Sequence, residues 1–329
     1  MSYIALAIIR NWGDAVKNFF LNGGNMKKEP KVLIGTGGWD HESFDRVFYP
    51  DGDMDSLQKL HHYAQFFDVV EVRPTFWDEA LTCNDAWEWI GAVADNRRFQ
   101  FNVKLHQSFT HRKEIKPALT KNVRSVLQEL LKADRLGTLL IQFPYAFTCT
   151  SAHRYHLMRL SEVFAGFPMH VEFRHESWNY PGLAGFLAEH KLGTVNADLP
   201  RIKQLMPFST GFTGDTAYIR LHGRNEHGWM KNELDARYDY LYNNREVREL
   251  TRRLEILTPK CKHVTVICNN TTQGRAIANA VQLVSALSSE NSVVVPGKTL
   301  AAFPQLAGVA VPVDEQPILI EADSYRRVV

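Results

Sequence analysis

From Lys31 onward the chain switches repeatedly between two periods. Tyr218-Ile219-Arg220-Leu221-His222 alternates apolar and polar residues, as do His170-Val171-Glu172-Phe173-Arg174 and Phe99-Gln100-Phe101-Asn102-Val103-Lys104. Period-two alternation predicts strands with one apolar and one polar face. Eight strands are expected, over 31–36, 68–73, 99–105, 137–142, 168–174, 192–197, 216–222 and 262–268. The stretches 55–67, 84–95, 118–134, 152–164, 182–190, 245–257 and 274–287 carry helical spacing instead. Leu57, Leu60, Tyr63, Ala64 and Phe67 share one face, as do Val123, Val126, Leu127, Leu130 and Leu131. Strand–helix alternation means parallel strands joined by right-handed crossovers. Eight such units in about 260 residues match a closed (β/α)8 TIM barrel. An open doubly wound sheet is the alternative, but no G-x-G-x-x-G opens a helix. Gly35-Thr36-Gly37-Gly38 is followed by Trp39-Asp40 and lacks the downstream glycine.

The barrel is expected over 31–288, with an extension at each end. In residues 1–30, an amphipathic helix over 3–21 would end at Gly23-Gly24. Met26 reads as a natural start, which would place the first 25 residues outside the fold. Residues 289–329 carry Pro296, Pro304, Pro312 and Pro317 and are expected to lie extended on the barrel or on a partner chain.

Composition narrows the class. The 329 residues are 45% hydrophobic and 22% charged, ordinary for a globular chain able to bury a large core. A net charge of +2 is too small for a global grip on nucleic acid, although a local basic cleft stays open. The four cysteines form no C-x-x-C pair and no zinc-finger spacing, so reduced thiols in a cytoplasmic protein are expected. Ile4–Ile9 lacks a basic start and a cleavage site, and no apolar run is long enough to span a membrane.

In a barrel, one strand face packs on the helices and the other points inward. Parity then places Glu71 and Arg73, Asn102 and Lys104, Gln142, His170, Glu172 and Arg174, and Arg220, His222 and Arg224 inside. The same logic adds Asn196 and Asp198 from the sixth strand and Asn269 or Asn270 after the eighth. These residues fall toward the C-terminal strand ends, where barrel enzymes carry their chemistry.

Each candidate has two readings. Glu71 and Glu172 fit a general acid and base, or counter-ions of Arg73, Lys104 or Arg174. Lys104 suits phosphate binding; desolvated, it would suit Schiff-base chemistry. Arg174, Arg220 and Arg224 fit bidentate clamps on phosphate or carboxylate, or structural pairs. His175 and His222 are proton-transfer candidates, or satisfied hydrogen-bonders. Asn269 and Asn270 fit substrate hydroxyls, or a turn. Trp39, Trp77, Trp178 and Trp229 fit stacking on a base or sugar, or loop packing. A divalent metal has the right ligand types in Glu71, Glu172, His175, Asp198 and His222. No H-E-x-x-H is present, however, and the cations of the same rim oppose it, so no metal ligands are assigned. The nucleophile elbow and the P-loop are absent.

Ile34-Gly35-Thr36-Gly37-Gly38-Trp39, Phe48-Tyr49-Pro50, Val70-Glu71-Val72, Thr75-Phe76, Phe101-Asn102-Val103-Lys104, Thr110-His111, Val171 to Trp178, Tyr218 to Arg224 and Asn269-Asn270 form a set of motifs. Together they resemble the YecE-like family, the domain of unknown function 72. The resemblance spans about 31–288 and implies a TIM barrel without an established reaction. One departure stands out. The family usually continues its second strand as Glu-Ile-Asn-Ser-Thr-Phe-Tyr, whereas this chain reads Glu71-Val72-Arg73-Pro74-Thr75-Phe76-Trp77. An amide–hydroxyl pair has become a cation and a fixed φ.

These readings lead to an enzyme acting on an anionic small molecule, such as a phosphorylated sugar or nucleotide-like compound. Lys104, Arg174 and Arg220 would hold the anion, and Glu71, Glu172 or His222 would move protons. Hydrolysis, elimination and isomerisation all fit. A nucleic-acid-binding or repair protein seating a flipped nucleotide is the alternative, and a non-catalytic binding module is a third.

Overall fold

The computed structural model describes residues 31–231, 234–288 and 292–313. The helix expected over 3–21, the rest of the N-terminal extension and the end of the C-terminal tail lie outside them.

Eight parallel strands close into a barrel in sequence order, and β8 pairs back onto β1. They are β1 (Lys31–Thr36), β2 (Val69–Val72), β3 (Gln100–Lys104), β4 (Leu136–Gln142), β5 (Met169–Glu172), β6 (Gly193–Asp198), β7 (Thr216–Leu221) and β8 (His263–Cys268). Around them run α1 (Ser56–Tyr63), α2 (Cys83–Ala92), α3 (Pro117–Lys132), α4 (Ser151–Val163), α5 (Leu183–Glu189), α6 (Asn244–Leu257) and α7 (Arg275–Leu287). No long helix follows β6, as the sequence pattern indicates. The TIM-barrel expectation is met.

Local chemistry sets the helix starts. Asp55 and Gln58 form a capping box on α1, Thr82 and Asp85 one on α2, and Asn243 and Glu246 one on α6. Pro117 opens α3, where a missing N–H costs nothing.

Two apolar layers follow from strand parity. Val70, Val72, Phe101, Val103, Leu139, Ile141, Val171, Ile219, Leu221 and Val266 join the large core between strands and helices. A separate cluster of Leu33, Val69, Leu140, Val195, Tyr218 and Ile267 fills the lumen. This plug closes the barrel beneath the polar side chains and seats them at its C-terminal rim. Gly35 is needed for closure, because a Cβ there would lie 1.8 Å from the Val69 carbonyl oxygen of the adjacent strand.

The tail expectation is corrected in part. Residues 292–313 do pack on the barrel, but they are not simply extended. Strands β9 (Val293–Pro296) and β10 (Ala310–Val313) pair in parallel, with helix α8 (Gly297–Ala302) between them. Val295, Phe303 and Leu306 enter the main core. Lys298 Nζ donates to the carbonyls of Asp45 and Tyr49 and pairs with Asp51, pinning this unit to the loop after β1.

Candidate functional site

β7 supplies the centre of the site. Tyr218, Arg220 and His222 project from one face at two-residue spacing. Arg220 donates from Nε and Nη2 to both oxygens of Glu71, at 2.8 and 2.7 Å. Its Nη1 donates to Glu172. Strands β2, β5 and β7 are not neighbours, so these bonds cross the lumen. Tyr218 adds a 3.2 Å bond to Glu71. All three charged groups are buried, which is tolerable only because each carboxylate meets the guanidinium directly.

Burial alone would push the Glu172 carboxyl up. Arg220, His222 and Arg174 outweigh it and hold the group well below the usual carboxylate range. Burial likewise disfavours the Arg220 charge, but Glu172 and Glu71 raise its pKa further. Glu172 is therefore held as an anion, the form of a base or a counter-ion rather than of an acid.

His222 is tied into the same group. Its Nε2 lies 3.2 Å from Glu172, and its Nδ1 lies 3.0 Å from the Asn269 amide nitrogen. That amide can only donate, so Nδ1 accepts and the Nε2 proton points to Glu172. Burial lowers the ring to about 4, and it is neutral. Gly37 makes room for Asn269, since a Cβ there would lie 2.1 Å from its Oδ1.

Around this core stand cations with less compensation. Arg174 donates to Glu172 at 3.3 Å and to the Tyr238 hydroxyl at 3.5 Å, with Trp229 packed 5.2 Å away. Arg73 reaches the Gly37 carbonyl at 3.4 Å and His41 Nε2 at 2.9 Å, and no carboxylate pairs with it among the described residues. Burial, and then Arg73 itself, lowers His41 to about 4, so that ring is neutral; its Nε2 also lies 2.8 Å from the Gly37 carbonyl. Lys104 places Nζ 3.8 Å from the centre of the Phe76 ring, and it too lacks an ion-pair partner among the described residues. Burial and Arg220 lower its ammonium to about 7; Glu71 opposes this, and Arg174 and Arg73 add to it. Three guanidinium groups thus face two carboxylates, before Lys104 is counted.

Other expected residues fall elsewhere. Val195 occupies the lumen, so Asn196 and Asp198 face outward, and the inward placement read from the sequence is corrected. Asn196 bonds Ser209 and the Gly211 carbonyl. Asp198 accepts from Arg224 at 2.8 and 3.0 Å and from the Tyr242 hydroxyl at 2.7 Å, while Arg224 also reaches Glu246 at the start of α6. Arg224 is a structural tie rather than a clamp at the rim. Arg224→Met is expected to lower stability by about 1–3 kcal/mol, because Asp198 loses a charged partner. Ligand-induced thermal shifts should be unchanged, and differential scanning fluorimetry checks both.

His175 accepts from the Ser177 N–H and caps a short turn, with no bond to Glu172. Asn270 holds Tyr240 and Asn279 behind β8. Trp39 and Trp178 are core residues. The Trp39 indole donates to Ser56, and Trp178 donates to Phe147 and stacks on Phe173 at 4.1 Å. Trp77 is exposed. Asn102 stays in the lumen, in register with Glu71 and beside the Tyr218 hydroxyl.

Tyr238 and His111 join the site from outside the strand pattern. Burial alone would raise the Tyr238 phenol, but Arg174 brings it below its ordinary value. The run Tyr238-Asp239-Tyr240-Leu241-Tyr242 alternates aromatics, the sequence signal that Tyr238 carries. Among the described residues, no group of three or more His, Cys, Asp or Glu is placed to hold a metal ion. No helix among them is long and apolar enough to cross a membrane.

The closed eightfold barrel with its charged C-terminal rim makes this a TIM-barrel protein. The chain belongs to the family described as "Protein of unknown function DUF72", which matches residues 33–304 and so reaches into the C-terminal unit. It is 31% identical over 284 residues to UPF0759 protein YunF of Bacillus subtilis, covering 80% of this chain and 98% of that protein. It is also similar to the crystal structure of a DUF72 family protein, TM1631, from Thermotoga maritima. There the TM-score is 0.69 at 30% identity, covering 78% of this chain and 99% of the other. A DUF72 family protein from Enterococcus faecalis, at 23% identity and a TM-score of 0.68, has the same fold; 79% of this chain and 97% of that one are covered.

Proposed function

We propose that the chain is an enzyme that takes a small anionic molecule at the C-terminal rim and moves protons on it. Support comes above all from Lys104, a lysine packed on Phe76 beside three arginines and, among the described residues, without a carboxylate partner. A purely structural lysine would be expected to take one of the two nearby carboxylates, yet Arg220 holds both. An excess of positive charge in partly desolvated surroundings favours a phosphate or carboxylate.

Arg73 and Arg174 are the groups assigned to the anion, because each keeps donors beyond its present bonds. Lys104 exchanges the proton, since an amine near 7 is present in both forms at neutral pH. Arg220 positions Glu71 and Glu172 and is not spent on the ligand.

The test is a thermal-shift comparison of phosphorylated sugars and nucleotides with their neutral counterparts. At a hundredfold excess over Kd, a bound anion should stabilise the fold by about 2.7 kcal/mol. Arg73→Gln should weaken that shift and leave the unliganded melting temperature nearly unchanged. If no phosphorylated probe raises the melting temperature, or if neutral counterparts do so equally, the reading is wrong.

A further inference from the structure

We propose that Lys104 is a covalent nucleophile that condenses with the carbonyl carbon of a small anionic aldehyde or ketone. The inference rests on the reading above and names its substrate class.

Lys104 closes β3 on the inward face and stands at the rim, where it keeps partial contact with solvent. One side of its amine is the Phe76 ring, itself fixed by the Pro74–Phe76 turn and buried. Thr75 in that turn donates to the Lys104 carbonyl at 2.7 Å, which locks the strand end against the turn. The charged neighbours that act on the amine are Arg220 from β7, Arg174 after β5, Arg73 after β2 and Glu71 on β2. An amine against an aromatic plate, beside cations and unpaired, is the setting in which lysines become nucleophiles.

A lysine serving only as a point charge for phosphate would duplicate Arg73 and Arg174, which are better forks for that task. The same two cations would hold the anionic end of a carbonyl compound and bring its reactive carbon to Nζ. The neutral amine forms a C–N bond as the carbonyl π bond breaks, and a proton passes from the nitrogen to that oxygen. A second proton, taken from solvent, lets the hydroxyl leave as water, and a protonated imine remains. Nothing is oxidised or reduced, and water reverses the step. His111 stands beside the same ring. It lies 5.1 Å from Phe76 across the ring contact and is bonded to Thr110. It sits in the Ser108–Arg112 π-turn, a wide backbone form often found at functional sites.

The experiment incubates the full chain with dihydroxyacetone phosphate and cyanoborohydride at neutral pH, followed by peptide mapping. Lys104 should carry the reduced adduct at a rate on the order of tenfold or more above the other lysines, because far more of its amine is neutral. Unphosphorylated dihydroxyacetone should label it more slowly, and in Lys104→Arg the fast-labelled site should vanish. Labelling of Lys104 no faster than the other lysines overturns the proposal. If phosphorylated probes still raise the melting temperature in that case, the anion-binding reading stands and only the covalent step fails. If they do not, both fail.

Discussion

Arg220→Met should destabilise the chain by about 3–5 kcal/mol, the largest effect expected of any single substitution at the rim. The methionine fills similar space but leaves Glu71 without a cation and Glu172 with only the longer 3.3 Å contact to Arg174. Two buried carboxylates cannot both stay ionised at low cost, so protonation is the cheapest relief. The pH dependence then changes sign. In the native chain the Glu172 pKa lies below its unfolded value of about 4.5, so its contribution is complete above that pH and is lost as pH falls further. In Arg220→Met the folded pKa rises above the unfolded one. Stability should then fall as pH climbs from 5 to 8, where the native chain gains or loses nothing through this group. Urea denaturation at both pH values reads the difference, and Glu172→Gln in the Arg220→Met background should recover part of the loss. A cost below about 1 kcal/mol would mean that Arg220 is not the tie that holds the rim together.

Lys104→Met should act in the opposite direction at low pH. The Lys104 pKa is lowered to about 7 in the folded chain against 10.5 for an ordinary lysine. Below pH 7 both states are protonated and folding bears the full desolvation cost of the ammonium. Between 7 and 10.5 the unfolded chain binds the extra proton, so this group makes native stability rise with pH, by at most about 1.4 kcal/mol per unit. Partial contact with solvent at the rim reduces that figure. Methionine removes the cost altogether. The variant should therefore be more stable than the native chain by roughly 1–3 kcal/mol at pH 6, with the gap closing toward pH 10. Paired urea titrations across this range measure it. A variant that is no more stable at pH 6 than at pH 9, relative to the native chain, would show that Lys104 keeps an ordinary ammonium. The same variant should lose the reductive adduct, which ties the stability effect to the chemistry.

The sequence by itself determined the barrel and most of its inner face. Eight alternating runs spaced by helical ones leave little other than a closed parallel cylinder. On β2, β3, β5 and β7, valines, isoleucines and phenylalanines of one parity leave Glu71, Lys104, Glu172, Arg174, Arg220 and His222 nowhere to point but inward. Only the tertiary structure decided β6. In Val195-Asn196-Ala197-Asp198 the apolar residues are small enough to face either way. The lumen at that level needs Val195 to complete its plug with Leu33, Val69 and Ile267, and this turns Asn196 and Asp198 outward to partners from distant segments. Pairing was equally invisible in the chain. Local order shows that arginines and glutamates share a rim, but which cation takes which anion depends on distances across the lumen. Those distances give both carboxylates to Arg220 and leave Lys104 with none.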